Sequence, residues 1–227
     1  IANAGVDRIV EVDSTVLLNG GGSDSDGDTL TYRWQFVSGP ASIILSSTSS
    51  ANPTFVPKVI GSYVLKLTVN DTKVDSKQDD IQISVVPKGA IVFNVKAGKD
   101  NLLSATDLSI YPWVDLLIPN GSINGNMDIA IAEEKNPPPS SAGIKMLKTV
   151  LDFAPDGAKF DSNVTVKIPY TLSKLSEAGI SDPKTLKVYT YNKETQVWEE
   201  ITPTNINTES QYVEFETNHF SIYGLGS

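Results

Sequence analysis

Apolar and polar residues alternate with period two along several stretches of this chain. Leu30, Tyr32, Trp34 and Phe36 are separated by Thr31, Arg33 and Gln35. Tyr63, Leu65, Leu67 and Val69 are separated by Val64, Lys66 and Thr68, and Ile81, Ile83 and Val85 repeat the pattern. Period two among β-branched and aromatic residues marks half-buried strands. Trp34, in phase with Leu30, Tyr32 and Phe36, is read as a core residue. Asn19-Gly20-Gly21-Gly22, Ser38-Gly39-Pro40 and Ile60-Gly61-Ser62 are turn-formers between the runs. Short strands at this spacing predict a sandwich.

Val86-Pro87-Lys88-Gly89 reads as a linker, because Pro interrupts a strand and Gly loosens the chain. The predicted domains are therefore 1–87 and 88–227. In the second, strands are expected at Ile91 to Val95, Met127 to Ala132, Val164 to Ile168, Leu186 to Tyr191, Tyr212 to Phe215 and Phe220 to Leu225. Asn136-Pro137-Pro138-Pro139-Ser140-Ser141 is a stiff loop. Leu172 to Ala178 is the one good short helix, with Thr171 as cap and Gly179 to end it. The fold class is all-β: two tandem β-sandwich domains, the second with one short helix.

Composition narrows the chemistry. Among 227 residues there is no Cys and one His, which removes disulfides, thiolate metal sites, Cys nucleophiles and any site needing two imidazoles. The net charge is −9, divided as −4 over residues 1–87 and −5 over 88–227, so neither half offers a basic footprint for nucleic acid. No run of about 18 apolar residues occurs, so no membrane-spanning helix is expected. The chain starts at Ile1 rather than Met and reads as a piece of a longer protein.

Ser23-Asp24-Ser25-Asp26-Gly27-Asp28 sets three carboxylates at alternate positions, with Gly where the chain turns. Calcium takes six to eight oxygens from such groups, although no Glu follows as in an EF-hand. Asp71, ending the Tyr63–Val69 run, is a candidate fourth ligand, and Asp7 and Asn3 are candidates to join. The structural alternative is an acidic turn capped by its own Asp side chains.

These residues carry a resemblance. Ala4-Gly5-Val6-Asp7, Leu18-Asn19-Gly20, the Asp24–Asp28 loop, Leu30-Thr31-Tyr32-Arg33-Trp34, Ser38-Gly39-Pro40, Pro53-Thr54-Phe55 and Gly61 through Asp71 resemble the polycystic-kidney-disease (PKD) repeat. That repeat is an immunoglobulin-like sandwich of extracellular proteins. The sequence departs from it after the strand, where many repeats read Trp-Asp-Phe-Gly-Asp-Gly and this chain has Trp34-Gln35-Phe36-Val37-Ser38-Gly39-Pro40. Some members bind calcium through the first Asp pair and the strand-end Asp. The resemblance thus implies Ca2+ at Asp24, Asp26 and Asp71, with Asp28 adjacent.

Near the end stands Asn218-His219-Phe220-Ser221. Ser221 is placed to attack the carbonyl of Phe220, shifting the acyl group from nitrogen to oxygen, and water then cleaves the ester. His219 is the available base. The bond needs distortion and the oxyanion needs donors. Val213 and Phe215 put odd positions inward while Phe220 and Ile222 put even ones inward, so the phase slips near Glu216 to His219. A strand rolling between two sheets produces the same slip.

The second half also shows a resemblance, through Phe153-Ala154-Pro155-Asp156-Gly157-Ala158-Lys159-Phe160, Val164 through Tyr170, Leu186-Lys187-Val188-Tyr189, Gln196-Val197-Trp198-Glu199-Glu200 and His219-Phe220-Ser221. It resembles the ZU-type domain of zonula-occludens proteins, ankyrins, netrin receptors and prokaryotic surface proteins. In some death-domain members the triplet is an autoproteolysis site cut before Ser, which maps here to nucleophile Ser221, base His219 and bond Phe220–Ser221. Most members that this half resembles carry the triplet without being known to cleave, and there His and Phe would be strand residues.

The resulting expectation is a non-catalytic spacer or adhesion segment of a larger secreted or cell-surface protein, stiffened by calcium. Its partners would be protein or polysaccharide. Two alternatives stand: self-cleavage, and an accessory carbohydrate-binding module, for which Trp113, Trp198 and Tyr212 are the aromatics to place. Trp198, beside the Tyr189/Tyr191 strand, is read as core-facing or hairpin-packing.

Overall fold

A computed structural model describes residues 1–106, 108 and 111–227. The chain forms two compact units, Ile1–Lys88 and Gly89–Ser227. Both are β-sandwiches.

In the first unit the strands are β1 (Ala2–Asn3), β2 (Arg8–Glu11), β3 (Val16–Leu17), β4 (Gly21–Gly22), β5 (Thr31–Ser38), β6 (Thr54–Phe55), β7 (Gly61–Asn70) and β8 (Asp79–Val86). A four-stranded sheet runs β2-β8-β7-β5, with two-stranded pairs β1-β4 and β3-β6. β2 lies parallel to β8, and the other neighbours are antiparallel. The alternation does what its period dictates. Trp34, Tyr63, Leu65, Leu67, Val69, Ile81, Ile83 and Val85 are buried in one core with Leu18 and Phe55. Gly20 is a close-approach position, since a Cβ there would stand 2.7 Å from both the Ala51 carbonyl oxygen and a carbon of the Trp34 ring.

In the second unit the elements are β9 (Ile91–Val95), β10 (Asn101–Ala105), β11 (Val114–Ile118), β12 (Met127–Glu133), β13 (Met146–Ala154), β14 (Lys159–Pro169), α1 (Leu172–Glu177), a 3-10 turn (Pro183–Thr185), β15 (Lys187–Asn192), β16 (Val197–Ile201), β17 (Asn205–Asn207), β18 (Tyr212–His219) and β19 (Ile222–Gly226). One sheet runs β10-β11-β14-β18-β17 and the other β16-β15-β19-β13-β12-β9. Val95, Leu116, Ile131, Leu151, Phe153, Val166, Val213, Phe215 and Phe220 are among the side chains filling the space between them. The helix is capped as its sequence requires: Thr171 accepts from the Lys174 amide, and Gly179 takes φ +71° after the last turn.

The outer face of the six-stranded sheet carries a small second cluster of Val150, Tyr189, Trp198 and Ile222, packed with Ile144, Met146 and Tyr191. The proline loop is tied to it, because the Trp198 indole N–H donates to the Pro138 carbonyl at 3.3 Å.

The phase slip expected near Glu216 to His219 is a change of sheet. β18 belongs to the five-stranded sheet and β19 to the six-stranded one, and the chain steps across at Phe220-Ser221. The β13–β14 connection steps between the same two sheets at Pro155 to Ala158. The two steps pair: the Phe220 amide donates to Ala158, the Gly157 amide to Phe220 and the Phe153 amide to Ser221, at 2.9, 3.0 and 3.1 Å.

Candidate functional site

The triplet occupies this corner. The Phe220 ring is buried and sits 4.7 Å from Phe160 and 5.5 Å from Phe153, centroid to centroid. The Ser221 hydroxyl donates to the Tyr191 carbonyl at 3.0 Å. The imidazole Nδ1 of His219 lies 3.2 Å from Asn218 Oδ1 and 3.5 Å from Thr217 Oγ1. No hydrogen bond joins imidazole and Ser221 hydroxyl among the described residues. The carbonyl of Phe220, the one a Ser221 nucleophile would attack, receives the Gly157 amide. The Tyr223 hydroxyl donates to the His219 carbonyl at 2.6 Å, and burial pushes its pKa up to about 12. A depression of about 440 Å³ opens here, lined by Asp156, Lys159, Tyr191, Glu199, His219 and Ser221 among others.

Next to the corner, Asp152 is a feature the sequence did not flag. It is 6% exposed, and its Oδ1 has no hydrogen-bond partner. Burial raises its pKa to about 6, with the charge of Lys193 pulling it partly back. Its position in β13 reads simply as one polar residue in an apolar run, so only the fold shows that it is enclosed.

The acidic loop of the first unit gathers Asp24, Asp26 and Asp28, whose carboxylate oxygens lie within 4.8 Å of one another. Gly27, at φ +80°, makes the turn. Asp24 Oδ1 accepts the amides of Asp26 and Asp28 at 2.9 and 3.2 Å. This is the self-capped turn that the sequence also allows. Lys73 Nζ stands 2.6 Å from Asp28 Oδ2. Asp71 stands outside the trio. Its carboxylate accepts the amides of Val74 and Lys73 at 2.8 and 2.9 Å, which hold its pKa below the usual carboxylate range. Asp7 and Asn3 are likewise engaged elsewhere, on the amides of Gln82 and Gly5. Three clustered hard oxygen donors fit a divalent cation such as calcium. The ammonium of Lys73 is the group such an ion would compete with.

Of the aromatics, Trp34 is buried in the core, 2% exposed, as its alternation predicts, whereas Trp198, 5% exposed, is buried on the outer face of the six-stranded sheet against Tyr191, packing on its hairpin rather than facing the core. Trp113 and Tyr212 are half-buried and meet edge to face, with ring centroids 5.9 Å apart. The sequence named both but gave no means of pairing them, since they are brought together across β14.

Residues 4–85 match the family model of the K319L-like PKD domain, and residues 108–181 match that of the ZU5 domain. The ZU5 match ends before the His219 triplet. Among curated proteins, the amylopullulanase of Thermoanaerobacterium thermosulfurigenes is 28% identical over 149 residues, covering 66% of this chain and 8% of that protein. The dyslexia-associated protein KIAA0319 homolog of Rattus norvegicus is 26% identical over 111 residues, covering 48% of this chain and 10% of that protein. The chain thus spans a tenth or less of the curated relatives it matches. The solved PKD domain of the KIAA 1837 protein is 29% identical, with a TM-score of 0.34, covering 39% of this chain and 87% of that one. A carbohydrate-binding module of the β-sandwich superfamily is 13% identical, with a TM-score of 0.31, covering 96% of this chain and 91% of that one. The chain carries a PKD-like domain over residues 4–85, followed by a ZU5 domain over residues 108–181.

Proposed function

We propose that this chain is a non-catalytic segment of a larger secreted or cell-surface protein, holding or presenting neighbouring parts of that protein and engaging protein or polysaccharide. The observation that carries this reading is the use made of His219-Phe220-Ser221. Each member is spent on the corner between two sheets: the ring in the core, the hydroxyl on Tyr191, the imidazole on its own strand. A self-cleaving site needs its base on its nucleophile, and here the two have separate partners.

The company of the two domains supports an extracellular setting. Matching segments occur within an amylopullulanase and within a large KIAA0319 homolog, each many times longer than this chain. Among the described residues no helix is long and apolar enough to cross a membrane. In this reading calcium at Asp24, Asp26 and Asp28 stiffens the first unit.

The test is the mass of the purified chain under denaturing conditions, beside Ser221→Ala. Both are expected at full length after prolonged incubation. Loss of residues 221–227 from the wild type alone would overturn the non-catalytic reading in favour of self-cleavage.

A further inference from the structure

The geometry points to a second site: the outer face of the five-stranded sheet, around Trp113 and Tyr212, is a platform for a neutral polysaccharide. This rests on the reading of the chain as a surface or accessory segment and adds a ligand class and a place for it.

Strand register sets the groups side by side. Leu102 faces Leu117, and Leu117 faces Thr165. Two residues along β11, Asp115 faces Lys167, which faces Glu214. Two residues further, Trp113 reaches over Pro169 to Tyr212, while Lys167 Nζ lies 5.4 Å from the Tyr212 ring. From Leu117 to Trp113 the strand rise gives a strip about 13 Å long, the length of a short oligosaccharide. A depression of about 270 Å³ lies along it, lined by Leu102, Asp115, Leu117, Thr165, Lys167 and Glu214.

The solvent face of an antiparallel sheet is ordinarily polar. Here Leu102 is 75% exposed and Leu117 38%, beside the half-buried rings of Trp113 and Tyr212. The other sheet offers the contrast, for its outer aromatics Tyr189 and Trp198 are buried in a cluster with Val150 and Ile222, and Trp198 is tied to the proline loop. A pyranose ring has an apolar C–H face and a rim of hydroxyls. Aromatic and aliphatic groups take the first, and carboxylates, Lys167 and Thr165 take the second. The local charge selects neutral chains: Asp115, Glu214 and Glu216 against Lys167 repel anionic polymers. Apolar groups are interrupted by ionised ones along the strip, unlike the contiguous apolar centre of a protein interface.

Native electrophoresis through gels containing amylopectin, barley β-glucan or galactomannan, with polygalacturonate as the anionic control, tests this. The wild type is expected to be retarded by at least one neutral polymer and not by polygalacturonate. Trp113→Ala and Leu102→Arg are each expected to weaken that retardation at least tenfold. Leu102 is too exposed for its replacement to disturb folding, so the test stands even if Trp113→Ala unfolds. Absence of retardation in every neutral gel, or equal retardation of Leu102→Arg, would overturn the proposal. So would a dimer in light scattering that Leu102→Arg dissolves, since a second copy would then be the occupant. A full-length mass with no retardation removes this site and leaves the non-catalytic reading standing.

Discussion

Ser221 and Tyr191 are joined by a hydrogen bond from the serine hydroxyl to the tyrosine's backbone carbonyl, 3.0 Å long, which fastens the corner before β19 to the end of β15. The hydroxyl that has the position of a nucleophile in the sequence is thereby a tether between strands. Ser221→Ala is expected to lower stability by about 1 kcal/mol, the net worth of one such bond, measured by urea denaturation.

Phe220 is the hydrophobic member of the same corner. Phe220→Ala removes a ring enclosed by Phe153 and Phe160. The expected cost is about 3–5 kcal/mol. A variant melting within a few degrees of wild type would mean the corner collapses to fill the space.

Asp152 gives a pH dependence with a definite sign. Its pKa is raised to about 6 in the fold, from 3.8. The folded state therefore holds the proton more tightly than the unfolded one. The group's contribution is complete below about pH 3.8 and is lost as the pH rises through about 6, in total about 3 kcal/mol. Asp152→Asn removes this dependence. Relative to wild type, the variant should gain about that amount between about pH 3.5 and pH 7.5, read from denaturation midpoints at the two pH values.

The calcium reading makes a prediction on the first unit. Excess Ca2+ over EGTA should raise the melting temperature, by the equivalent of about 2.7 kcal/mol at a hundredfold excess over Kd. Asp24→Asn should abolish the rise. Lys73→Ala should tighten binding, since it removes the ammonium from Asp28. Asp71→Ala should leave the calcium response in place while loosening the turn at Lys73 and Val74. No difference between Ca2+ and EGTA sinks the cation site.

Gly20→Ala should destabilise by about 1–3 kcal/mol, as overpacking does. The added carbon would meet a backbone oxygen and a ring, neither of which yields freely. Circular-dichroism melts of the two proteins decide it.

Much of this was legible along the chain. β5, β7 and β8 are strands buried on one face, so period two survives in their sequences. α1 announced itself through Thr171 and Gly179. β13 gave no such signal. It lies inside its sheet with nearly every residue buried, so alternation vanishes and Val150-Leu151-Asp152-Phe153 reads as a plain apolar run. β10 and β11 carry no clean alternation, because Leu102 and Leu117 put apolar groups on the solvent face and blur the period. In the acidic loop, the spacing of Asp24, Asp26 and Asp28 is a local matter and the fold brings them together. Asp71 depends on where a distant strand ends and how its following turn closes, which spacing does not encode.

β19 is the third of six strands, hydrogen-bonded to β15 on one side and β13 on the other. Its main chain enters from β18 through the corner at Phe220-Ser221. A chain shortened to end at Phe220 would have a slot in mid-sheet, flanked by two open backbone ladders and lined by the contacts that Tyr223 and Leu225 now fill. Such a slot is a template for any extended segment of matching alternation. A peptide of residues 221–227 carries the strand that such a slot is shaped to take.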